Sequence, residues 1–590
     1  MKSSSKVAIL LRSWQLVARS APGLLTWSLL LQFLQAVVPF GVFYLIKLIV
    51  DKLVEGLSNN SIETGTMIGY VSILGGLWLS SGVLNVFAQR VESLLQLRFT
   101  DYISGIIQAQ SIKMDLSYYE NPELKDTFHR AQREAMYRPY QMVHSLMQLV
   151  QSGIFLVLVL GFLITLNPWL ILLLIISGIP GLIIKMRLAK KQYALEKKIT
   201  QADRRSYYLH NLLTRERGAK EVRLYRYGQQ LMEQYKAIRT KMYTDRKGLF
   251  NLKAGYDVIG SATEVLALTI GVGWTALQSL KGLIPVGSLV MYLQAFQRGQ
   301  GQYRAAMNAL AQLYTHRLFL SYLFDFLDLE QHISDPDTAD IQPLRSASVF
   351  RVKNVSFRYP GREEWAVKNV NLELHPGERV ALAGLNGSGK TTLVKLLGRL
   401  YDPPEGRLLI GDKDYRELPL EQLRQQVSVA FQQPLRYPFS AAENIRIGDL
   451  NREYSLDNIK AAAQFAGADE FIESLPQGFE TVLGYEFYGG TELSGGQWQQ
   501  VALARAIYKE ASLLILDEPM SQMDPLKEQA FMDRLYGRKD QQAVLFVTHR
   551  LHHLQQADRI VVMDGGRIVE EGSFKELIER DGLFARMFNS

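Results

Sequence analysis

The chain is 590 residues long, and 66 Lys and Arg against 58 Asp and Glu leave a net charge of +8, a mild excess for that length and no mark of a nucleic-acid binder. Apolar residues make up 47% and charged residues 21%, which excludes a disordered or collagen-like polymer; length alone predicts about three to four domain-sized units. There is no cysteine, which excludes disulfides, thiolate zinc sites, thiol nucleophiles and iron–sulfur clusters.

The apolar residues crowd into the first half. Leu24–Val50 is a run of 27 residues, interrupted by Gln32, Gln35, Pro39 and Lys47. About 20 helical residues cross a hydrocarbon core of roughly 30 Å, so this run spans a bilayer with room for tilt. Further runs predict spans at about 67–88, 146–166, 169–186, 258–280 and 286–308, the last much more polar than the others. Asn167-Pro168 is a helix-breaking turn between two antiparallel spans. A buried soluble helix explains one such run; it does not explain six in series. A cleavable signal peptide would need a far shorter apolar segment and a small-residue cleavage site, and neither is present.

Lys and Arg set the orientation. The N-terminal segment carries Lys2, Lys6, Arg12 and Arg19; the connection from Arg90 to His144 carries seven basic residues and that from Lys185 to Lys253 carries nineteen, whereas the short alternate loops hold only Lys52 and Lys281. The long loops and both termini are therefore expected in the cytoplasm, and the protein in the cytoplasmic (inner) membrane, surrounded by lipid. The long loops keep helical character but are too polar to span, so the flanking spans are expected to run on into the cytoplasm and reverse near Ser117–Asp126 and Thr214–Tyr227. The fold class that follows is multi-domain: an all-α six-helix membrane domain with cytoplasmic extensions over 1–327, a polar linker over 328–347, and a soluble α/β domain over 348–590.

That soluble domain carries the chemistry. The strand Arg379–Ala383 runs into Gly384-Leu385-Asn386-Gly387-Ser388-Gly389-Lys390-Thr391-Thr392 and then an apolar helix, the strand–loop–helix context of a phosphate-binding loop. Its glycines let backbone N–H groups converge on phosphate oxygens at a helix start, Lys390 supplies a point charge for the β and γ phosphates, and Thr391 a hydroxyl for Mg²⁺. Residues 513–518, Leu-Leu-Ile-Leu-Asp-Glu, read as a central parallel strand ending in two acids. Asp517 is placed to hold hydrated Mg²⁺, and Glu518 to polarise an attacking water. A surface turn would explain the acids but not the four apolar residues before them. Leu493-Ser494-Gly495-Gly496-Gln497 opens a further helix, a second anion site from exposed N–H groups and the helix dipole.

With these motifs in order, the chain resembles an ATP-binding cassette (ABC) exporter half-transporter over nearly its whole length, LSGGQ being the family signature. The resemblance implies that two cassettes pair head to tail and that ATP lies between the Lys390 loop of one copy and Ser494, Gly495, Gly496 and Gln497 of the other; because all chemical positions, Glu518 included, are intact, a homodimer is expected, with pairing to a second gene product as the alternative. It implies that Tyr359 stacks on adenine, that Gln432 joins Mg²⁺ and the attacking water to the membrane domain, that Asp524 reports across the dimer and that His549 contacts the γ-phosphate. The loops at Ser117–Asp126 and Thr214–Tyr227 would be coupling helices. The chain departs from the family at Pro519-Met520-Ser521-Gln522-Met523-Asp524, where Pro-Thr-Ser-Ala-Leu-Asp is usual, at Gln433, where aspartate is common, and at Trp498, where a basic residue is common.

The cargo follows less directly. Glu264, two turns from Asp257, and Gln294, Gln297, Arg298, Gln300, Gln302 and Arg304 put polar groups in or just beyond the last two spans; these either line a cavity or belong to a cytoplasmic extension. YYENPELKDTFHRAQREAMYRPYQ and FYGGTELSGGQW are similar to exporters of lantibiotic-type modified peptides, so a peptide cargo is expected. A lipid or multidrug exporter and an ATP-gated channel are the alternatives, and a soluble ABC ATPase acting on DNA or ribosomes is opposed by the spans. No fused leader peptidase is expected, because a papain-like nucleophile needs cysteine.

Overall fold

The computed structural model describes residues 6–58, 64–121, 136–166, 169–333, 335–336, 348–538, 540–548 and 550–589. The chain divides into two compact units, Met1–Ile112 with Asp126–Leu329, and Lys113–Lys125 with Glu330–Ser590. The Asn167-Pro168 turn, Pro122–Asp126 and most of the linker lie outside the described residues, as does His549.

The first unit is helical. Its long elements are Pro22–Ser58, Thr64–Lys113, Arg138–Leu166, Trp169–Thr214, Gly228–Leu280 and Val286–Leu327. Among the described residues five helices are long and apolar enough to cross a membrane; Val286–Leu327 is a continuous helix too polar to join them on hydropathy. Thr64–Lys113 has 50 residues, about 75 Å at 1.5 Å per residue, against the roughly 30 Å of a bilayer core. Its polar half therefore continues well past the membrane, as the mixed character of the long loops predicts. Phe43, Phe155, Val159, Leu163, Ala267, Tyr292 and Phe296 form a buried cluster between helices. Phe43 and Phe155 meet edge to face at 6.3 Å between ring centroids, a favoured aromatic geometry. Many other apolar side chains face outward, among them Trp27, Leu79, Val157 and Leu266, which suits hydrocarbon rather than water.

The second unit holds two sheets. Strands β1 (Phe350–Phe357), β2 (Val367–Leu374), β4 (Glu405–Ile410) and β5 (Lys413–Asp414) form an antiparallel sheet in the order β2-β1-β4-β5. Strands β3 (Arg379–Gly384), β6 (Val427–Ala430), β7 (Leu513–Asp517), β8 (Ala543–Val547), β9 (Arg559–Asp564) and β10 (Arg567–Gly572) form the second, in the order β10-β9-β3-β8-β7-β6. Here β9, β3, β8, β7 and β6 run parallel, with Leu513 beside Ala543 and Arg379 beside Val544. All five residues of β7 and of β8 are buried, as continuous apolar runs demand of a sheet covered on both faces. Parallel order brings the carboxyl ends of β3, β7 and β8 to one edge, where open α/β sheets bind ligands.

The short helix Leu116–Glu120 groups with this second unit. Lys395 Nζ donates to Glu120 Oε1 at 2.8 Å, and the Tyr401 hydroxyl also donates to the Glu120 carboxylate. Asp115 accepts the backbone N–H of His332 at 2.8 Å, and the Tyr118 hydroxyl donates to the Glu330 carbonyl at 2.9 Å. Lys395 further sits over the Tyr359 ring at 5.3 Å. Glu120→Ala removes both anchors at that end of the helix. We expect amide hydrogen exchange across Asp115–Asn121 to rise several-fold, with thermal stability of the whole chain nearly unchanged because the pair is partly exposed. Unchanged exchange at those amides would show that Glu120 does not hold the helix.

Candidate functional site

The loop after β3 wraps a helix start. Gly384 has φ +145° and a side chain there would run into the Met563 carbonyl oxygen, so only glycine fits between strand and loop. Gly389 (φ +104°) then turns the chain into the helix Lys390–Leu397. Lys390 is buried and folds back onto its own loop, donating to the carbonyls of Gly384 at 2.7 Å and Leu385 at 2.9 Å. Burial pushes its ammonium below the usual lysine range, with Glu518 and Asp517 opposing. A cavity of about 440 Å³ opens over this loop. Asn386, Gly387, Ser388, Gly389, Lys390, Thr391 and Thr392 line it from the loop side, and Tyr359, Gln432, Asp517 and Glu518 from the others.

Asp517 ends β7 with 5% of its surface exposed. Burial and the charge of neighbouring Glu518 push its carboxyl up to about 6, against the pull of Lys390 and Lys395. A buried carboxylate that lines one cavity with the Thr391 hydroxyl and the Gln432 amide is part of a hard-oxygen donor set that fits Mg²⁺. Glu518 has φ +46°, a left-handed conformation that costs a residue with a side chain about 1–3 kcal/mol. Its N–H donates to the Val547 carbonyl at 3.2 Å, and its Oε2 accepts from Gln432 Nε2 at 2.8 Å. The strained turn after the strand aims the carboxylate into the cavity. Tyr359 stands at the cavity wall; its hydroxyl is 3.1 Å from Thr392 Oγ1 and its ring meets Phe357 edge to face at 5.2 Å.

The signature pentapeptide folds as the spacing predicts. Ser494 caps the helix Gly495–Tyr508: its Oγ accepts the Gln497 N–H at 3.2 Å while Gln497 Oε1 accepts the Ser494 N–H at 2.9 Å, a reciprocal capping box. Gly495 and Gly496 pass so close to Gln522 that a side chain at Gly496 would lie 2.7 Å from the Gln522 carbonyl oxygen. Gln499 ties the two segments together, donating to Ser521 Oγ at 3.0 Å and accepting the Gln522 N–H at 2.8 Å. The unusual Met520 and Met523 point into the buried core, at 6% and 7% exposure, so their bulk is absorbed inside the cassette. Asp524 accepts the Leu526 N–H at 2.9 Å and caps the helix Pro525–Gly537. Trp498 is buried too, donating to Glu492 Oε1 at 3.3 Å.

Tyr359, the loop residues from Asn386 to Thr392, Gln432, Asp517 and Glu518 thus meet in one cavity. Ser494, Gly495, Gly496, Gln497 and Asp524 do not line it. Arg362, Glu364 and Trp365 also line the cavity and escaped the sequence reading; their signal was position, immediately after Tyr359 in a loop without a motif of its own.

Comparison with known proteins places these features in a lineage. The ABC transporter domain pattern matches residues 367–521. The subtilin transport ATP-binding protein SpaT of Bacillus subtilis is 30% identical over 95% of this chain and 92% of its own length. An ATP-dependent lipid A-core flippase of Alkalilimnicola ehrlichii is 28% identical over 91% of this chain and 90% of its own. In fold, the structure matches a bacterial Atm1-family ABC exporter with ATP bound at a TM-score of 0.83 and 21% identity, covering 96% of this chain and 98% of that one. A phosphate-binding loop, two strand-end acids, an LSGGQ helix start and a membrane-embedded helical half, aligned end to end with such relatives, make this chain a multi-pass member of the ABC transporter family, an exporter that binds and hydrolyses ATP.

Proposed function

We propose that two copies of the chain form a homodimeric exporter of a modified peptide in the cytoplasmic membrane, with both termini and both cassettes on the cytoplasmic side. The observation that supports the dimer is the separation of the two anion-binding helix starts: the Lys390 cavity is lined by no residue of 494–497, and a second copy would bring that segment to each nucleotide. The intact Glu518 gives two equal sites. Orientation rests on the basic long loops.

The roles follow from the site. Loop N–H groups and Lys390 hold the phosphates of ATP, and Tyr359 offers a ring to the base. Thr391, Gln432 and Asp517 hold Mg²⁺, whose charge when bound offsets that of the phosphates. Glu518 takes the proton of the attacking water and Gln432 orients both. His549 is assigned to the γ-phosphate, and the partner copy supplies Ser494, Gly495, Gly496 and Gln497, with Asp524 reporting between sites. Closure would reach the membrane helices through Leu116–Glu120, which follows Thr64–Lys113 in the chain after only Met114 and Asp115.

The relative SpaT, a subtilin transporter by name, supports a peptide cargo. So does polar chemistry within the helical unit: Arg304 pairs with Glu264, Gln300 Nε2 donates to the Glu264 carbonyl at 2.8 Å, and Ser152 Oγ donates to Gln302 Oε1 at 2.9 Å. A lipid cargo is the second reading, favoured by the flippase relative. Purified protein in inside-out vesicles separates them. A modified cationic peptide is expected to stimulate ATPase activity and to accumulate in the lumen only with hydrolysable ATP. Stimulation by lipid A-type lipid and none by peptide would replace the peptide reading, and solute leakage with a non-hydrolysable analogue would indicate a channel.

A further inference from the structure

Away from the ATP cavity, one group of side chains has the composition of a metal centre. Glu528 lies on the helix Pro525–Gly537, and His552 and His553 lie on the helix Leu551–Gln555. One ligand atom from each of the three lies within 4.8 Å of the others. Glu528 and His553 are each 1% exposed, whereas His552 is exposed. His553 Nε2 is 3.1 Å from Glu528 Oε1, yet it is buried without a hydrogen-bond partner, an unusual state for a buried ring nitrogen. Its other nitrogen, Nδ1, faces Thr548 Oγ1 at 3.4 Å. The two imidazoles pack at 4.0 Å between centroids, inclined by 64°.

We infer that Glu528, His552 and His553 form a binding site for a borderline divalent cation of the Zn²⁺ class. Two imidazoles and one carboxylate are the donor set such ions prefer over Mg²⁺ or Ca²⁺. Zn²⁺ bonds of about 2.0–2.2 Å place tetrahedral ligand atoms roughly 3.3–3.5 Å apart. Reaching that spacing requires the ligand atoms to draw together by about an ångström, and the exposed His552 side chain is free to supply the movement. The solvent side leaves the fourth position to water. Arg550 pairs with Glu528 Oε2, so Oε1 is the oxygen that turns to the ion and the carboxylate bridges the two cations.

The site joins two segments that flank the chemistry. Glu528 is one helical turn beyond Asp524, and His552 follows three residues after His549. An ion there clamps the end of β8 to the helix that Asp524 caps, and it slows the ATPase by holding both in one arrangement. The cluster stands on its own geometry and is independent of the cargo.

Tag-free full-length protein in lipid nanodiscs, without nucleotide, is titrated with Co²⁺ and followed by visible d–d absorption, then with Zn²⁺ as competitor. Wild type is expected to bind one ion per chain with a tetrahedral spectrum that Zn²⁺ abolishes. His552→Ala, at an exposed position, keeps the melting temperature and weakens binding by about tenfold or more; micromolar Zn²⁺ then slows ATP turnover of wild type but not of the variant. Absence of a saturable tetrahedral signal in wild type, or equal affinity in the variant, overturns the site. Equal inhibition of both proteins overturns its control of the ATPase.

Discussion

Glu518→Gln is expected to bind ATP with near wild-type affinity and to lose turnover by about a hundredfold or more, the contribution of a positioned general base. The substitution is nearly isosteric. The positive φ at this position and the N–H bond to the Val547 carbonyl belong to the backbone, so the turn after β7 survives. A glutamine oxygen still accepts from Gln432 Nε2, now at 2.8 Å from the carboxylate. What disappears is the capacity to take a proton. Steady-state ATPase assays paired with equilibrium nucleotide binding check both halves of the result. Hydrolysis within about threefold of wild type would remove Glu518 from its assigned role, and lost binding would mean that the carboxylate shapes the cavity instead.

Lys390→Ala is expected to weaken ATP binding by about a hundredfold or more. Hydrogen bonds to charged groups contribute about 1.5–3 kcal/mol each, and the lysine has at least two phosphate oxygens to serve. A second effect acts in the same direction. Lys390 also donates to the carbonyls of Gly384 and Leu385; without it those oxygens lose their donor and the loop that cradles the phosphates loosens. Fluorescent-nucleotide titration on the full-length protein measures the change. Affinity within about fivefold of wild type would show that backbone N–H groups alone hold the phosphates, and Lys390→Arg, which restores charge but not shape, should recover only part of the loss.

The phosphate loop, the two strand-end acids and the signature serine were readable because each is a local arrangement: spacing along one strand–loop–helix or one helix start dictates where the polar groups point. The apolar runs were readable for a similar reason, since length and hydropathy need no partner. What escaped the sequence depends on residues far apart in the chain. Nothing near Glu120 announces Lys395 and Tyr401 as its partners, and nothing near Met520 or Met523 says that these bulky side chains turn inward. Glu528 meets His553 only because the helices they lie on pack together. The segment 286–308 is the reverse case: its helix is plain, but its glutamines and arginines leave composition undecided between bilayer and cytoplasm.

The bonds from Gln499 to Ser521 and Gln522, and the side-chain-free approach of Gly495 and Gly496 to Gln522, leave no slack between the LSGGQ helix and the stretch ending at Asp524. The two parts are held in register by these contacts, so the position of one constrains that of the other. In the homodimer proposed above, a partner copy that touches the LSGGQ edge would therefore also bear on the turn at Asp524.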